Sequence, residues 1–360
     1  MRVDAVSTQK AFVFLPRPVW HAVCYMDGYH GRNTEVNSLQ YPLSPDVKPE
    51  FCTTGSYMRL PAQRENARVA IVGLPFDTAA SFRVGARFAP QAIRQASMLL
   101  FPYHPVHKVF PFEDTRAIDI GDVPVIPHNI HRSYDRMEAV MLDLMAKGIV
   151  PIGLGGDHSV TLATLRAAKR VWGSVALIQF DSHTDTWDTY YEEKYWHGSP
   201  FIRAHEEGLL LPDKVFQIGI RGTLNHPGDL EASLELGYHV MTTQELRKTG
   251  AAETVRKIKE AIGDTPCFLS FDIDFVDPAY APGTGTPEVG GFTSFETLEL
   301  IRGLTDLNYI GFDLVEVLPP YDPAQTTSLL AATLIHDFAA LVALREKRLL
   351  AAGEMAADAE

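Results

Sequence analysis

Cysteine is scarce in this chain: only Cys24, Cys52 and Cys267 occur, and no two are spaced as C-x-x-C. An odd, sparse set excludes a disulfide framework and fits a reducing compartment. Basic charge is also short, with 32 Lys and Arg against 45 Asp and Glu and a net charge of −13. Such a surface argues against nucleic acid as a partner and mildly favours a cationic substrate. Long uninterrupted apolar runs are missing too. The N-terminus carries Asp4 and only the short apolar stretch 11–16, so it does not read as a secretory signal. The stretch 329–344 is broken by His336 and Asp337 and reads as a buried helix, not a membrane span. A cytoplasmic protein with no membrane partner is the expectation.

What is present is ordinary for a globular chain. Its 360 residues, 46% hydrophobic and 21% charged, suffice for one large domain or two medium ones. Residues 1–60 stand apart, rich in proline, tyrosine and asparagine and without periodicity. They read as an extended arm over the main domain or a neighbouring subunit, because Phe12, Phe14, Trp20 and Tyr25 need burial. A catalytic domain is expected over 61–350 and a frayed tail over 351–360. From Arg68 strands and helices alternate. Strands are predicted at 69–74, 149–154, 175–180, 215–220, 267–273 and 309–317. Helices are predicted at 90–99, 133–145, 159–171, 254–262, 295–304 and 326–348, with Pro90 in a first turn and Ser159 as a cap. Continuously apolar strands, each followed by a helix, imply a parallel sheet covered on both faces.

Three polar clusters sit where such strands end: Gly155-Gly156-Asp157-His158-Ser159, Asp181-Ser182-His183-Thr184-Asp185 and Ser270-Phe271-Asp272-Ile273-Asp274. Ligands bind outside the carboxyl ends of strands in open parallel sheets. A carboxylate or imidazole at a buried strand end must be paired or bound to a cation. If the second segment is extended, Asp181, His183 and Asp185 project to one side. Asp272 and Asp274 repeat the pattern, and His158 adds a second imidazole. Asp157 reads as a turn residue beside it. Two divalent ions neutralise four carboxylates where one leaves surplus charge, so a two-metal hydrolytic site is expected. Oxygen-rich ligation with two imidazoles suits manganese, with nickel, iron, cobalt and zinc open on ligand type. The glycines at 153–156 lack the following Lys-Ser/Thr of a phosphate loop.

These signatures, GGDHS, DSHTD and SFDIDFVDPAYAPGTGTPEVGG, resemble those of the ureohydrolase (arginase–agmatinase) family over most of residues 68–345. The resemblance implies a three-layer α/β arginase-type fold with a parallel central sheet and helices on both faces. It implies two divalent ions, manganese by family and nickel as the other candidate, that serve hydrolysis of a guanidino group to urea and an amine. By position, His158, Asp181, Asp185 and Asp272 would bind one ion. His183, Asp181, Asp272 and Asp274 would bind the other, with Asp181 and Asp272 bridging. Glu288 resembles the glutamate that pairs with the guanidinium, a planar cation suited to a bidentate carboxylate. His197 resembles the histidine that passes a proton to the leaving amine. Asp185 is given a second role in orienting the nucleophile. The resemblance also implies a homo-oligomer, trimeric or hexameric.

Around that centre, Phe82, Trp187 and Trp196, with Tyr190 and Tyr191, suggest an aromatic pocket for a small cationic guanidino substrate. The sequence places it nearer the agmatinase and guanidino-acid branch than arginase. Agmatine, guanidino acids, free guanidine, dimethylguanidine and biguanides such as metformin all stay open. Two rival functions are a metal-dependent amide deacetylase of the same fold and a non-catalytic subunit in a hetero-oligomer with a paralogue.

Overall fold

The computed structural model describes residues 55–224, 226 and 228–353. The arm expected over 1–60 lies outside the described residues up to position 54, as does the tail from 354. Eight strands form one sheet: β1 (Val69–Leu74), β2 (Ile118–Asp122), β3 (Val150–Gly155), β4 (Val175–Phe180), β5 (Leu210–Ile220), β6 (His239–Thr242), β7 (Pro266–Asp272) and β8 (Asn308–Val315). Their order is β2-β1-β3-β8-β7-β4-β5-β6 and every neighbouring pair is parallel. Strands consecutive in sequence, β3 and β4, are thus separated by β8 and β7.

Side chains alternate across the sheet and feed two cores. Val69 and Ile71 of β1, Ala176 and Ile178 of β4, and Leu269 and Phe271 of β7 enter one core. The helices Ala89–Ala96, Ala251–Ile262, Ser294–Gly303 and Thr326–Ala352 complete it. Ala70 and Val72 of β1, Leu177 of β4 and Phe268 of β7 enter the other, against Ile130–Ala146 and Thr161–Trp172. This is the expected three-layer arrangement. The helix Thr326–Ala352 is long and apolar enough to cross a membrane, but 83% of its most apolar window is buried within the fold.

Two strands escaped the sequence reading. β2 and β6 are the sheet edges, and their half-exposed sequences IDIGD and HVMT lack a continuous apolar run. The expected cap also moves. Asp157, not Ser159, caps the 3-10 turn His158–Val160 that leads into Thr161–Trp172, its Oδ1 accepting the Ser159 N–H at 3.1 Å. The first described residues pack into the domain: Tyr57 is fully buried, tilts against Phe112 and donates its hydroxyl to the Ala332 carbonyl at 2.7 Å.

On the layer of the long helix, the His336 ring stacks on His104, which in turn stacks on His107. Asp337 accepts from His104 at 2.6 Å and from Arg302 at 2.8 Å. Burial, then the neighbouring His104, pushes the His336 imidazole down to about 4. A folded pKa below the unfolded value of about 6.5 means that His336 disfavours unfolding fully above pH 6.5 and loses that contribution as pH falls towards 4. Between pH 7 and pH 5 the native protein is therefore expected to lose about 2 kcal/mol more unfolding free energy than His336→Leu. Urea denaturation at the two pH values measures this, and parallel losses contradict it.

Candidate metal centre

The carboxyl ends of the four central strands carry the clusters: His158 follows β3, Asp181 follows β4, Asp272 ends β7, and Glu316 follows β8. Beneath them runs a buried polar row in register, Asp313 of β8 beside Ser270 of β7, beside Gln179 of β4, beside Gln217 of β5. Each is polar within an otherwise apolar strand, and each spends its hydrogen bonds on the site. Ser270 Oγ donates to Asp313 Oδ1 at 2.6 Å and lies 2.8 Å from His158 Nε2. Gln179 donates to Asp181 Oδ2 at 2.7 Å, while Gln217 donates to Gln179 at 2.7 Å.

That chain fixes the proton on His158. Because the Ser270 hydroxyl gives its hydrogen to Asp313, its oxygen must accept from His158 Nε2–H, so in the neutral ring Nδ1 presents a lone pair. Nδ1 faces Asp185 Oδ2 at 2.8 Å, Asp181 Oδ2 at 3.1 Å and Asp272 Oδ2 at 3.3 Å. Four electron-rich atoms aimed at one point repel each other unless a cation sits among them. The local field confirms the demand for positive charge. Burial lowers the His158 pKa, but Asp181, Asp185 and Asp272 outweigh it and raise it well above the ordinary value. Burial, then the charge of Asp181, pushes Asp185 up to about 6. Burial, then Asp274 and Asp181, raises Asp272.

A second group adjoins the first. His183 Nδ1 lies 3.0 Å from Asp274 Oδ2, which has no hydrogen-bond partner, and 3.6 Å from Asp181 Oδ1. Asp181 thus offers one oxygen to each group. The ligating atoms of His158, Asp181 and Asp272, and those of Asp181, His183 and Asp274, each lie within 4.8 Å of one another. Asp272 appears in the first group only, its Oδ1 accepting the Asp274 N–H at 2.8 Å. The donor set therefore fits two hard or borderline divalent ions. A third group, His104, His107 and Asp337, fits worse, since Arg302 already neutralises its carboxylate.

The route to convergence differs from the extended geometry expected. Asp185 adopts φ +51, and Asp274 sits in the 3-10 turn Ile273–Phe275, so turns bring these carboxylates inward instead of a strand pleat. Gly156 is required by two constraints. Its φ is +53, and a Cβ there would meet the carbonyl oxygens of Leu74 and Phe76 at 2.5 and 2.6 Å.

His197 is buried beside the groups. Its Nδ1 donates to Glu316 Oε1 at 2.9 Å, while Nε2 accepts the Ser81 N–H at 3.0 Å and lies 2.7 Å from Ser81 Oγ. Burial lowers the His197 pKa, and Glu316, followed by Asp157 and Asp185, raises it above its ordinary value. Glu316 is the residue that sequence reasoning missed. It is 1% exposed, its Oε1 also accepts the His158 N–H at 2.9 Å, and its Oε2 has no hydrogen-bond partner among the described residues. The missed signal was available: an acid immediately after the apolar strand β8, as Asp181 follows β4.

A cavity of about 190 Å³ opens above the groups, lined by Ser81, His183, Asp185, Trp187, Tyr190, Trp196, His197, Gly198, Asp272 and Thr286. Trp187 and Trp196 are among the lining residues and stack on each other, with Tyr190 stacked on Trp196. Phe82 does not: it is 75% exposed and lies outside that lining. Glu288 is also outside it and sits against Gly222, where a Cβ would come 2.4 Å from the Glu288 carboxyl carbon.

The arginase family model matches residues 67–340, which span every strand and every residue of the site just described. The chain belongs to the arginase family. Among curated members it is 40% identical to a guanidinopropionase of Pseudomonas aeruginosa over 310 residues, covering 85% of this chain and 97% of that protein. It is 43% identical to the mitochondrial agmatinase of Gallus gallus over 284 residues, covering 78% and 84%. Among solved structures, the proclavaminate amidino hydrolase of Streptomyces clavuligerus superposes with a TM-score of 0.79 at 37% identity, over 83% of this chain and 100% of that one.

The hydrogen bonds of Glu316 generate a prediction. Glu316→Ala removes the acceptor of both His197 Nδ1–H and the His158 N–H, and each buried orphan costs about 1–3 kcal/mol. The variant is expected to lose about 2–5 kcal/mol of unfolding free energy, against under about 1 kcal/mol for Ser81→Ala. Equal losses in urea melts would remove Glu316 from this supporting role.

Proposed function

We propose that the chain hydrolyses a guanidino group at a two-cation centre, with His158, Asp181, Asp185 and Asp272 holding one ion and His183, Asp181, Asp272 and Asp274 the other. The observation that carries this is the division of Asp181, Oδ2 facing His158 Nδ1 and Oδ1 facing His183 Nδ1. A single-ion centre, as in a deacetylase, has no use for the second group. When bound, two divalent ions ionise water near neutral pH and stabilise developing negative charge. Manganese suits this oxygen-rich set, and nickel is the alternative.

The balance is simple: a guanidinium and water give urea and an ammonium. The side chains divide the work. Asp185, which lines the cavity, orients the attacking water. Glu288, outside the cavity lining, reaches the planar guanidinium from the rim at most, and the unpartnered Oε2 of Glu316, whose Oε1 holds the lining residue His197, is the acceptor for that cation. His197 keeps its Nδ1 proton on Glu316, so Nε2, which accepts from Ser81, is the nitrogen that takes up a proton released from the attacking water and passes it to the leaving amine. Trp187 and Trp196 wall the substrate, and Phe82, given its exposure, acts at the rim at most.

The catalytic domain at 61–350 works as a cytoplasmic homo-oligomer in this proposal, with the arm of residues 1–60 joining subunits. Exposed Leu99, Phe101, Tyr103, Val106 and Phe110 on one connecting segment supply an apolar surface for that assembly.

The division of roles is tested by paired substitutions. Asp181→Ala is expected to abolish urea release and to cut bound manganese or nickel well below about two ions per chain, because it removes a shared ligand. His197→Ala is expected to keep the metals and lower turnover by about 10²–10⁴-fold. Metal analysis and urea release on both variants decide it; equal metal loss contradicts the assignment.

A further inference from the structure

The cavity lining assigns the charge of the substrate's other end. Among the described residues that line it there is no lysine or arginine, and its two carboxylates, Asp185 and Asp272, belong to the set proposed to hold the cations. Basic residues close by are otherwise engaged. Arg83, two positions from Ser81, lies over the Tyr321 ring at 4.7 Å, with Nη1 3.4 Å from the Thr284 carbonyl. Arg221 spends its guanidinium on the carbonyls of Gly219, Asp274, Phe275 and Glu288. Lys194 is exposed and outside the lining.

Opposite the carboxylates stands an aromatic wall. Trp187 and Trp196 stack with centroids 6.0 Å apart, Tyr190 stacks on Trp196 at 4.8 Å, and the Trp187 ring lies 6.1 Å from His183. The indole N–H groups of both tryptophans are buried and make no hydrogen bond among the described residues, and as neutral donors they bring no charge to offset that of a bound anion. Aromatic faces attract cations and accept alkyl groups, but they give a carboxylate no compensation for lost hydration. The space is also small, about 190 Å³, against about 300–1,000 Å³ for ordinary ligand pockets.

We infer that the substrate is a compact guanidinium whose remainder carries no anionic group, and that Trp187 is the residue that selects for it. This rests on the guanidine-hydrolysing function proposed above. It sets the chain apart in specificity from the guanidinopropionase to which it is similar, whose named substrate class bears a carboxylate.

The test uses three guanidines of matched chain length, butylguanidine, agmatine and 4-guanidinobutyrate, with the full-length protein loaded with manganese or nickel. Urea release should give the guanidino acid a kcat/KM at least about tenfold below the better of the other two. Calorimetric binding of the same three should rank them alike, whether or not urea appears. Trp187→Leu should weaken butylguanidine binding by about tenfold and shrink the gap to the guanidino acid. A guanidino acid that binds or turns over as well as butylguanidine and agmatine overturns the inference, as does an unchanged gap in Trp187→Leu. Ranked binding with no urea from any compound would instead refute the proposed hydrolysis and leave the tail assignment standing. Binding of none refutes both.

Discussion

Four buried carboxylates and two imidazoles directed at adjoining points constrain everything else in this molecule. Asp181, Asp185, Asp272 and Asp274 are each at most 5% exposed, and burying such charge without compensation is costly. The protein meets that cost by leaving lone pairs, not protons, facing inward. Ser270 and Asp313 hold a His158 proton on the outer nitrogen, Ser182 and the Asp274 amide occupy Oδ1 of Asp274 and of Asp272, and the Gln179 and His183 N–H groups share the two oxygens of Asp181 with the groups they face. The inner atoms are left for cations. A conformational scaffold that tolerates this must be stiff, and four parallel strands buried on both faces provide the stiffness.

The polar row beneath the site explains how one sheet can hold it. Asp313, Ser270, Gln179 and Gln217 share a register level, so each strand contributes one polar group at the same depth. Hydrogen bonds pass from this row to His158 and Asp181. Displacement of one strand by a residue would break the row and turn its side chains to the opposite core. Function and register are therefore tied: the residues that orient the ligands are also those that penalise a slipped sheet. Glu316 performs the same service one level higher, joining the His158 backbone to the His197 ring.

The aromatic wall belongs to a less constrained part of the structure. Trp187, Tyr190 and Trp196 sit on the irregular segment after β4, where Tyr191 and Glu192 take positive φ. Gly198 makes room for Trp196, since a Cβ there would meet its ring at 2.4 Å. Family members can thus share the cation-demanding floor and differ in the tail they accept, because the floor is set by the sheet and the wall by a loop. The physical split between these regions matches the split between reaction and specificity.

Continuous apolar runs, three of them closed by clusters of Asp and His, already determined the parallel sheet, its two covers and the candidate cation cluster. Burial of continuous runs and the cost of bare buried charge act locally, so they are legible in order along the chain. The edge strands β2 and β6 were not, because half-exposed residues carry no such run. Nor was the route by which Asp185 and Asp274 turn inward, which depends on a positive φ and a 3-10 turn, not on spacing. Only the tertiary structure decided that Glu316 meets His197 across 119 positions, and that Phe82 and Glu288 stay outside the cavity lining. Those outcomes follow from strand order, which places β8 and β7 between β3 and β4, and strand order is a property of packing between distant segments.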